Sequence, residues 1–559
     1  MLNTLQMQLR EFIANGVVAF YPSGLTVPVV EVEVPKDRQH GEFSSNIALK
    51  SAKILKRPPI DIAAQIVVIL QNTLSGHPLA SKIERIEVKP PGFINFYLSQ
   101  AAVQDILWDI FHKRERYGSA KIGQGQRIQL EFVSANPTGP LSVAHARQAA
   151  VGDALGNILS FLGFEVVKEY YVNDEGNQIN LLAESVRLQA QKLLSGREIT
   201  ESLPYQGDYI EDIARECLEK KGIQDNQALQ QASERGVIRE FAVNRLIEII
   251  RRELDDFGVR FDVWSYQSHV ASIPQVEQVL EDLVTAGHVY QKEGALWFRS
   301  TRFGDDKDRV VRKSDGSFTY LAPDIVYHKN KYERGFQQII NIWGPDHHGY
   351  IPRLRAAVQA LGYSGESLQV LIVQLATIFR DGQPVSMSTR KGQYIQLREV
   401  MDEVGGDVAR FFFLLRHLNA HLDFDLELAK KESAENPVYY IQYAHARIHS
   451  IFKKAQETRI KPAEENFELL QEKAETSLIK LLGHFSHVLQ VCHQELDPYA
   501  LLVYLMQVAT DFHRFYDCHR VIDPAQPKLS AQRLGLIEAV RIVLANGLGM
   551  LGISQPQRM

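Results

Sequence analysis

Residues 127–163 read RIQLEFVSANPTGPLSVAHARQAAVGDALGNILSFLG. The pattern predicts a buried strand in RIQLEFVSA, a loop in NPTGPLSV and a long helix that begins near His145. Pro137, Gly139 and Pro140 predict a tight loop, and Gly139 has no side chain to keep the backbone away from a ligand. Strand and helix patterns go on alternating after this stretch, as is typical of a parallel sheet. We therefore expect a nucleotide site at the carboxyl edge of that sheet.

The start of this helix is a candidate anion site. Its free backbone N–H groups and the positive end of its dipole face the loop, and both favour phosphate. His145 stands at that end with a side chain able to donate to a phosphate oxygen. Glu131 and Asn136 flank the loop, and a carboxylate beside an amide suits an amino-acid substrate. Taken alone, however, such a loop is more commonly a plain strand–helix junction.

Composition and charge exclude several classes of protein. The chain has 559 residues, of which 45% are hydrophobic and 23% charged, and this length allows roughly three to five domains. A net charge of −5 argues against a protein that coats nucleic acid indiscriminately. Cys217, Cys492 and Cys518 are far apart, so we expect neither disulfides nor a cysteine-based zinc site. With no membrane-spanning stretch and no secretory signal at the start, we expect a cytoplasmic protein without membrane contact.

The chain divides by pattern into four parts. The first is a small α+β unit, in which the alternation VPVVEVEV at residues 27–34 predicts a strand. An α/β part with a largely helical insertion follows, and a connecting segment then leads to a helical bundle. We assign these parts to residues 1–112, 120–395 with the insertion at about 178–258, 396–435 and 436–559.

Residues 319–335, TYLAPDIVYHKNKYERG, contain Tyr320 and Asp324 four positions apart, which is one face of a helix. A carboxylate accepts a guanidinium group through two hydrogen bonds, and a tyrosine offers a ring face and an acceptor oxygen. A group that carries a guanidinium is therefore one of several ligands that such a pair could accept. In isolation, Asp324 is more often interpreted as a solvated carboxylate on a helix surface.

A second interpretation concerns Asp346, His347 and His348. Metal-dependent phosphoesterases use an Asp-His-His run together with further Asp and His ligands to two metals. The sequence has no second aspartate-rich strand motif of the kind such an enzyme needs. Without that motif the phosphoesterase is the weaker interpretation, and it stays open as an alternative.

Residues 380–392, RDGQPVSMSTRKG, predict a hairpin turn followed by a loop of hydroxyl and basic side chains. Such a loop is suited to stabilising phosphate charge, and Arg390 and Lys391 are its cations. A solvated basic turn is the alternative.

These segments together resemble class I arginyl-tRNA synthetases of the bacterial type. EFVSANPTGPLSVAHARQAAVGDAL resembles the family segment that ends in the HIGH tetrapeptide, MSTRKG resembles its KMSKS loop, and NPVYYIQYAHARIHSIFKKA resembles the start of its anticodon-binding domain. The resemblance implies a multidomain α/β protein with a Rossmann-like catalytic domain, an N-terminal α+β domain and a C-terminal all-α bundle. It implies ligation of arginine to tRNA(Arg) through an arginyl-adenylate, with ATP as substrate and Mg²⁺ bound to ATP. It further implies that tRNA is needed for adenylate formation, and we expect a monomer with no metal site of its own.

The resemblance also assigns roles to residues. Catalysis is expected to involve Ser142, His145, Arg390 and Lys391. ATP is expected to contact Gly139, Ser142, Ala144, His145, Met387 and Ser388. Arginine is expected to contact Glu131, Asn136, Tyr320, Asp324 and His347. The tRNA is expected to contact Tyr443 and Arg447.

Departures from the family pattern bear on activity. Ser142 and Ala144 replace a histidine and a glycine of the tetrapeptide, so one positive charge is lost and a methyl group is added near the adenine position. Ser386 replaces the lysine that precedes Met387 in the family's loop. An RNA-binding relative that has lost catalysis is therefore our second hypothesis.

Overall fold

The N-terminal part packs helices against a small antiparallel sheet in the computed structural model, which describes residues 2–22, 25–35, 37–196, 203–385 and 394–559. The helices are α1 (Leu2–Phe20), α2 (Ile47–Leu55), α3 (Pro59–Leu74) and α4 (Gln100–Lys113). The strands are β1 (Phe43–Ser45), β2 (Ile83–Lys89) and β3 (Phe93–Leu98), and β3 lies between the other two.

The strand predicted at residues 27–34 is wrong. Within this segment Glu33 alone forms a bridge, and it exchanges both backbone hydrogen bonds with Ser44 at 2.8 Å. Val30 and Val32 are buried in the core, so the alternating pattern reports which side chains face inward. Pro28 has no N–H to give to a ladder, and burial of one face does not by itself create one.

The middle of the chain alternates strands with helices. Its strands are β4 (Arg127–Glu131), β5 (Glu165–Val172), β6 (Val263–Tyr266), β7 (Val289–Lys292), β8 (Ala295–Phe298), β9 (Arg309–Arg312), β10 (Gln338–Trp343), β11 (Leu368–Ile372), β12 (Ala376–Arg380), β13 (Gln383–Pro384) and β14 (Leu422–Asp425). Its helices are α5 (Val143–Phe161), α6 (Asn177–Ser195), α7 (Asp208–Lys221), α8 (Asn226–Glu234), α9 (Val237–Asp256), α10 (Gln267–Val270), α11 (Ile273–Thr285), α12 (Leu321–Glu333), α13 (Ile351–Ala360), α14 (Leu397–Val404), α15 (Gly406–Phe413) and α16 (Leu426–Ala429).

The central sheet is parallel and has the strand order β11-β10-β4-β5-β6. Strand β4 lies where this order reverses, because the chain continues to β5 on one side and returns as β10 on the other. The register pairs Glu131 with Asn341 of β10 and with Glu169 of β5. Ligands of open α/β sheets bind outside the carboxyl ends of the strands at such a reversal. The topology of the sheet therefore predicts a ligand site around Glu131.

Two insertions interrupt this sheet. Helices α6 to α9 lie between β5 and β6, in the span where the sequence predicts a helical insertion. Strands β7, β8 and β9 form a separate antiparallel sheet between α11 and α12. We call this second unit the small sheet.

The C-terminal part is a bundle of helices that packs on α4 and α5. Its helices are α17 (Pro437–Thr458), α18 (Lys473–Gly483), α19 (Phe485–Glu495), α20 (Tyr499–Cys518) and α21 (Pro527–Met550). Arg410 of α15 is 1% exposed; it donates to Asp153 of α5 and to the carbonyls of Phe257 and Leu551. One buried side chain thus connects α5 and the end of α9 to the end of the bundle. The predicted fold class is confirmed. None of the helices described has the length and apolar character needed to cross a lipid bilayer.

Helix α5 lies so close to the sheet that position 152 has no room for a side chain. A Cβ on Gly152 would lie 2.3 Å from Cγ of the buried Phe132 ring. We expect Gly152→Ala to lower the free energy of unfolding by about 2 kcal/mol, because packed core atoms must shift. Gly76→Ala is the matched control, since nothing lies within 4 Å of its added Cβ. Denaturant unfolding measures both, and equal small effects at the two positions would contradict this account.

Candidate active site

The loop that follows β4 begins with strained backbone. Val133 and Ser134 have φ angles of 66° and 37°, in the left-handed region that non-glycine residues rarely adopt. Ser134 Oγ donates to the Glu131 carboxylate at 3.1 Å and accepts the Tyr171 N–H at 3.1 Å. These hydrogen bonds hold the turn and orient Glu131 at the point where the strand ends.

The tip of this loop is braced by two tyrosines. The Tyr209 hydroxyl donates to the Thr138 carbonyl at 2.9 Å, and the Tyr394 hydroxyl donates to the Pro140 carbonyl at 3.2 Å. A Cβ on Gly139 would lie 3.0 Å from the Tyr394 hydroxyl and 3.3 Å from that of Tyr209. Gly139 therefore makes room for the tyrosines, and its contact with ATP stays a prediction.

The N-terminus of α5 is closed by a pair of side chains. The Ser142 N–H donates to Nδ1 of His145 at 3.2 Å, and Ser142 Oγ lies 3.1 Å from the same atom. Because Nδ1 accepts a hydrogen bond, we assign the ring proton to Nε2. Burial lowers the pKa of His145 to about 4, although the charge of Asp346 acts in the opposite direction. His145 is thus a neutral donor at pH 7, and Ala144 is half-buried on the same turn.

The chain that follows the predicted loop of hydroxyl and basic side chains is bound beside this helix. The Val143 N–H donates to the Ile395 carbonyl at 3.2 Å, and the Leu397 N–H donates to the Leu141 carbonyl at 2.8 Å. The segment therefore passes along the N-terminus of α5. The predicted loop contacts lie outside the described residues, namely Ser386, Met387, Ser388, Arg390 and Lys391.

Asp324, in the first turn of α12, is the carboxylate best suited to a guanidinium group. Its side chain is half-buried and accepts a hydrogen bond from the Tyr350 hydroxyl. Burial raises the pKa of Asp324 to about 6; the Tyr350 hydrogen bond opposes this rise, and the charge of Glu131 adds to it. A poorly solvated carboxylate gains more from a cationic partner than an exposed one does.

Glu131 is buried, and its carboxylate is already paired within the protein. The Nζ of Lys331, which has no exposed surface, lies 2.5 Å from Oε2 of Glu131 and donates to the Asn341 side-chain oxygen at 3.0 Å. Asn341 in turn lies 3.0 Å from Nε2 of His328. Glu131 is therefore the partner of Lys331 in this structure, and its contact with arginine stays a prediction.

Glu169 of β5 is a second buried carboxylate beside the first. It accepts hydrogen bonds from Ser265 at 2.6 Å, from Tyr327 at 2.8 Å and from Arg334 at 2.8 and 2.9 Å. Burial acts to raise the pKa of Glu169, but Lys331 and Arg334 outweigh it and the pKa is lowered. We call the two carboxylates and their hydrogen-bonded partners the buried polar network.

Sequence reasoning missed this network. A signal existed, because Asp324, His328 and Lys331 are spaced by four and three residues and so share one helix face. Polar residues with that spacing are usually solvated, so the pattern by itself favours an exposed helix face. Tyr350 had no such signal, because it lies 26 residues from the Asp324 that it contacts.

The other predicted arginine contacts lie on the surface. Tyr320 directly precedes α12 and is 72% exposed; the Asp324 N–H donates to its carbonyl at 3.4 Å, so the predicted helical spacing is confirmed. Asn136 and His347 are also exposed. The structure thus places the buried Glu131 and the half-buried Asp324 close enough for their charges to interact, and it leaves these three side chains facing solvent.

The structure argues against the phosphoesterase alternative. Asp346, His347 and His348 are exposed in a short 3-10 helix, Pro345–Tyr350. Across the described ranges, no group of three or more His, Cys, Asp and Glu side chains is arranged to hold a metal ion. Phosphoesterases of this kind need two metals, each with several such ligands.

Tyr443 and Arg447 form a cluster on the helical bundle. The Arg447 guanidinium lies 4.6 Å from the Tyr443 ring centroid and 5.0 Å from that of Tyr516, and it donates to the Tyr443 hydroxyl at 2.8 Å. Both side chains are half-buried. Aromatic faces beside a cation suit single-stranded RNA, but contact with tRNA stays a prediction.

Comparison with known proteins accounts for most of the chain. The matching family models are the "Arginyl tRNA synthetase N terminal domain" over residues 4–98, the "tRNA synthetases class I (R), catalytic domain" over 106–413 and the "DALR anticodon binding domain" over 441–559. The arginine–tRNA ligase of Geobacter sp. (strain M21) is 44% identical over 99% of this chain and 100% of its own. The chain belongs to the arginyl-tRNA synthetase family.

Further relatives agree with this assignment. The arginine–tRNA ligase of Bacillus subtilis (strain 168) is 42% identical over 95% of each chain. The Thermus thermophilus arginyl-tRNA synthetase structure aligns with a TM-score of 0.76 at 23% identity and covers 99% of this chain and 100% of that one, which shows a common fold. The resemblance read from the sequence is therefore confirmed.

Arginine use by this synthetase is expected to decline in mild acid. Asp324 is the predicted partner of the substrate guanidinium group and would have to be ionised to accept it, and its pKa of about 6 means that it takes up a proton as the pH falls through that value. We expect kcat/KM for arginine to decrease about tenfold for each pH unit below 6 and to be level above pH 7. Pyrophosphate exchange at several pH values measures this decrease, which is the acid limb of the pH profile.

Asp324→Asn is the control for the acid limb, because it removes the titrating carboxylate without changing its size. The variant is expected to lose arginine use by about 100-fold or more at pH 7, since a neutral amide cannot pair with the guanidinium charge. An unchanged KM for arginine, or an unchanged acid limb, would contradict the role of Asp324.

The Lys331–Glu131 pair is expected to be essential for stability. Lys331→Met leaves the Glu131 carboxylate buried without its partner, and we expect the free energy of unfolding to fall by about 3–5 kcal/mol. Lys329→Met on the same helix is the control, because Lys329 is partly exposed and its pairs with Asp282 and Glu333 are 3.7 and 3.6 Å long. Its loss should stay below about 1 kcal/mol. If denaturant unfolding showed similar losses of unfolding free energy for both variants, the buried pair would not be more important than the exposed one.

Proposed function

We propose that this protein ligates arginine to tRNA(Arg). Arginine and ATP form arginyl-adenylate and pyrophosphate, and arginine then passes to the terminal ribose of the tRNA. One observation supports this best: the half-buried carboxylate of Asp324 lies at the same edge of the sheet as the N-terminus of α5 and His145. The carboxylate suits a guanidinium group, and the helix N-terminus suits phosphate.

The phosphate side of the site works by hydrogen bonding. When the arginine carboxylate attacks the α-phosphorus, negative charge moves to the departing pyrophosphate. The N–H groups at the start of α5 and Nε2–H of His145 are proposed to donate to phosphate oxygens. Because His145 is neutral, Arg390 and Lys391 are the proposed cations, with Met387 and Ser388 beside them in the same loop.

The arginine side of the site works by pairing charge in a poorly solvated place. Asp324 is proposed to accept the guanidinium group, with Tyr350 orienting its carboxylate. Tyr320, Asn136 and His347 are proposed to close over the substrate from the solvent side. Lysine or citrulline would leave buried polar groups without partners, and such mismatches are rejected strongly.

Mg²⁺ is proposed to enter with ATP. The described part of the chain offers no group of three metal-ligating side chains, and this fits an ion held mainly by phosphate oxygens and water. Mg²⁺ bound with ATP would neutralise part of the pyrophosphate charge.

The four parts of the chain are proposed to divide the work. Residues 1–112 would contact the outer corner of the tRNA, and residues 120–395, with the insertion at about 178–258, would carry out catalysis. Residues 396–435 would connect the catalytic part to residues 436–559, which would contact the anticodon through Tyr443 and Arg447. We further propose that the enzyme acts as a monomer in the cytoplasm.

Arginine-dependent ATP–pyrophosphate exchange, run with and without arginine tRNA, tests the proposal. Exchange is expected only when tRNA is present, and Asp324→Asn should abolish it while tRNA binding stays intact. Absence of exchange in the wild type, with tRNA still bound tightly, would instead favour an RNA-binding protein without catalysis. The replacements at Ser142 and Ala144 are the observation that motivates that second candidate.

A further inference from the structure

Across the residues that the structure describes, Arg147 of α5 is a buried cation with no carboxylate in contact. Its side chain has no exposed surface, and among these residues its Nε has no hydrogen-bond partner. Burial lowers the pKa of Arg147 to about 10 and the charge of Asp497 opposes this decrease, so the guanidinium group is still protonated at pH 7. Taking a charge out of water is costly, and an apolar side chain of similar volume usually avoids that cost. The stability of the fold therefore does not account for this cation.

The Arg147 guanidinium group donates to backbone carbonyls of two separate segments. Its Nη1 donates to Gln374 at 2.7 Å and to Ala420 at 2.9 Å, and it lies 3.4 Å from the Leu375 carbonyl. Its Nη2 donates to the His417 carbonyl at 3.0 Å. The first segment joins β11 to β12, and the second leads into β14, which pairs with β12. One side chain thus holds to α5 the places where the chain enters both of these strands.

Strand β12 begins the segment that carries the two proposed phosphate-binding cations. We call residues 376–397 the cation segment. Near its other end the Ile395 carbonyl accepts a hydrogen bond from the Val143 N–H of α5 at 3.2 Å. Val143 and Arg147 are four residues apart and so lie on one face of the helix. The first two turns of α5 therefore fix both ends of the cation segment, and His145 lies between the two attachments.

The shape of the guanidinium group matters for this attachment. A guanidinium presents five N–H groups in a planar fork, whereas a lysine ammonium has three donors on a single atom. Four carbonyls surround the Arg147 fork, and Nη1 bridges the two segments while Nη2 donates to the second. Arg147→Lys therefore keeps the buried charge and cannot keep the whole set of carbonyl contacts.

We propose that Arg147 is a positioning residue for adenylate formation, which sets the place of the cation segment relative to His145 and the N-terminus of α5. Its side chain is fully buried, so it acts through the backbone carbonyls that it holds. Stabilisation of the pyrophosphate charge depends on where the donors stand, and a displacement of about 1 Å can cost about 100-fold in rate. This inference rests on the proposed function, because it needs Arg390 and Lys391 to act on ATP.

Pyrophosphate exchange by Arg147→Lys, with arginine tRNA present, tests the inference. We expect kcat to fall about 100-fold, while KM for arginine and Kd for the tRNA stay within about twofold of the wild-type values. Arg410→Lys is the matched control, because Arg410 is 1% exposed and also donates to two backbone carbonyls, those of Phe257 and Leu551. These contacts lie outside the cation segment, so the control should keep kcat within about twofold.

Melting temperatures separate positioning from folding. Both lysine variants leave buried carbonyls without a donor, so both should melt below the wild type. A decrease in kcat for Arg147→Lys alone, at a temperature where both variants are folded, supports the inference, whereas equal decreases in both variants overturn it. If Arg147→Lys does not fold, Arg147→Met takes its place in every comparison, because it removes the buried charge altogether.

Coupling to the cation segment gives the sharper test. Lys391→Ala is expected to lower kcat about 100-fold in the wild type, and less than about tenfold in the Arg147→Lys background, where the loop cation is already displaced. Losses that multiply in full overturn the inference, as does an unchanged kcat for Lys391→Ala in an enzyme that carries out exchange. Both results leave the proposed function standing. A wild type without any exchange contradicts the proposed function itself, and the inference then fails with it.

Discussion

The buried polar network is the constraint on which the active-site architecture depends. It places the charges of Glu131, Lys331, Glu169 and Arg334 under the carboxyl ends of β4, β5 and β10. Removing a charge from water is costly unless a partner stands within hydrogen-bonding distance. Helix α12 must therefore pack on β4, β5 and β10 in one arrangement, since any shift leaves a buried charge unpaired.

This constraint prepares the surface above it. With α12 held by Lys331, Asp324 sits at the start of that helix where water is scarce, and its pKa rises to about 6. The same sheet edge receives the N-terminus of α5, where Ser142 fixes the tautomer of His145. The carboxylate that we propose for the guanidinium group and the helix end that we propose for phosphate thus lie at the same edge of the sheet, as coupling arginine to ATP would require.

Much of the fold was predictable, and the errors have physical causes. The strand, loop and helix at 127–163 show strong local patterns, and the structure has them as β4 and α5. The alternation at 27–34 predicted a strand wrongly, because a sequence reports which side chains are buried and not whether a neighbouring strand is in reach. For Gly139 the sequence indicated space for a ligand, and the structure shows two tyrosines next to it.

The sequence by itself determined the family, the class of fold and the residue types that arginine and ATP chemistry needs, because each of these is carried by short runs of neighbouring residues. Tertiary structure decided which of those residues are desolvated, paired or exposed. Lys331 lies 200 residues from Glu131, and no local pattern indicates that the two meet. Burial and pairing depend on residues that folding brings together from distant parts of the chain, so the protonation state of Asp324 and the availability of Glu131 are properties of the folded protein alone.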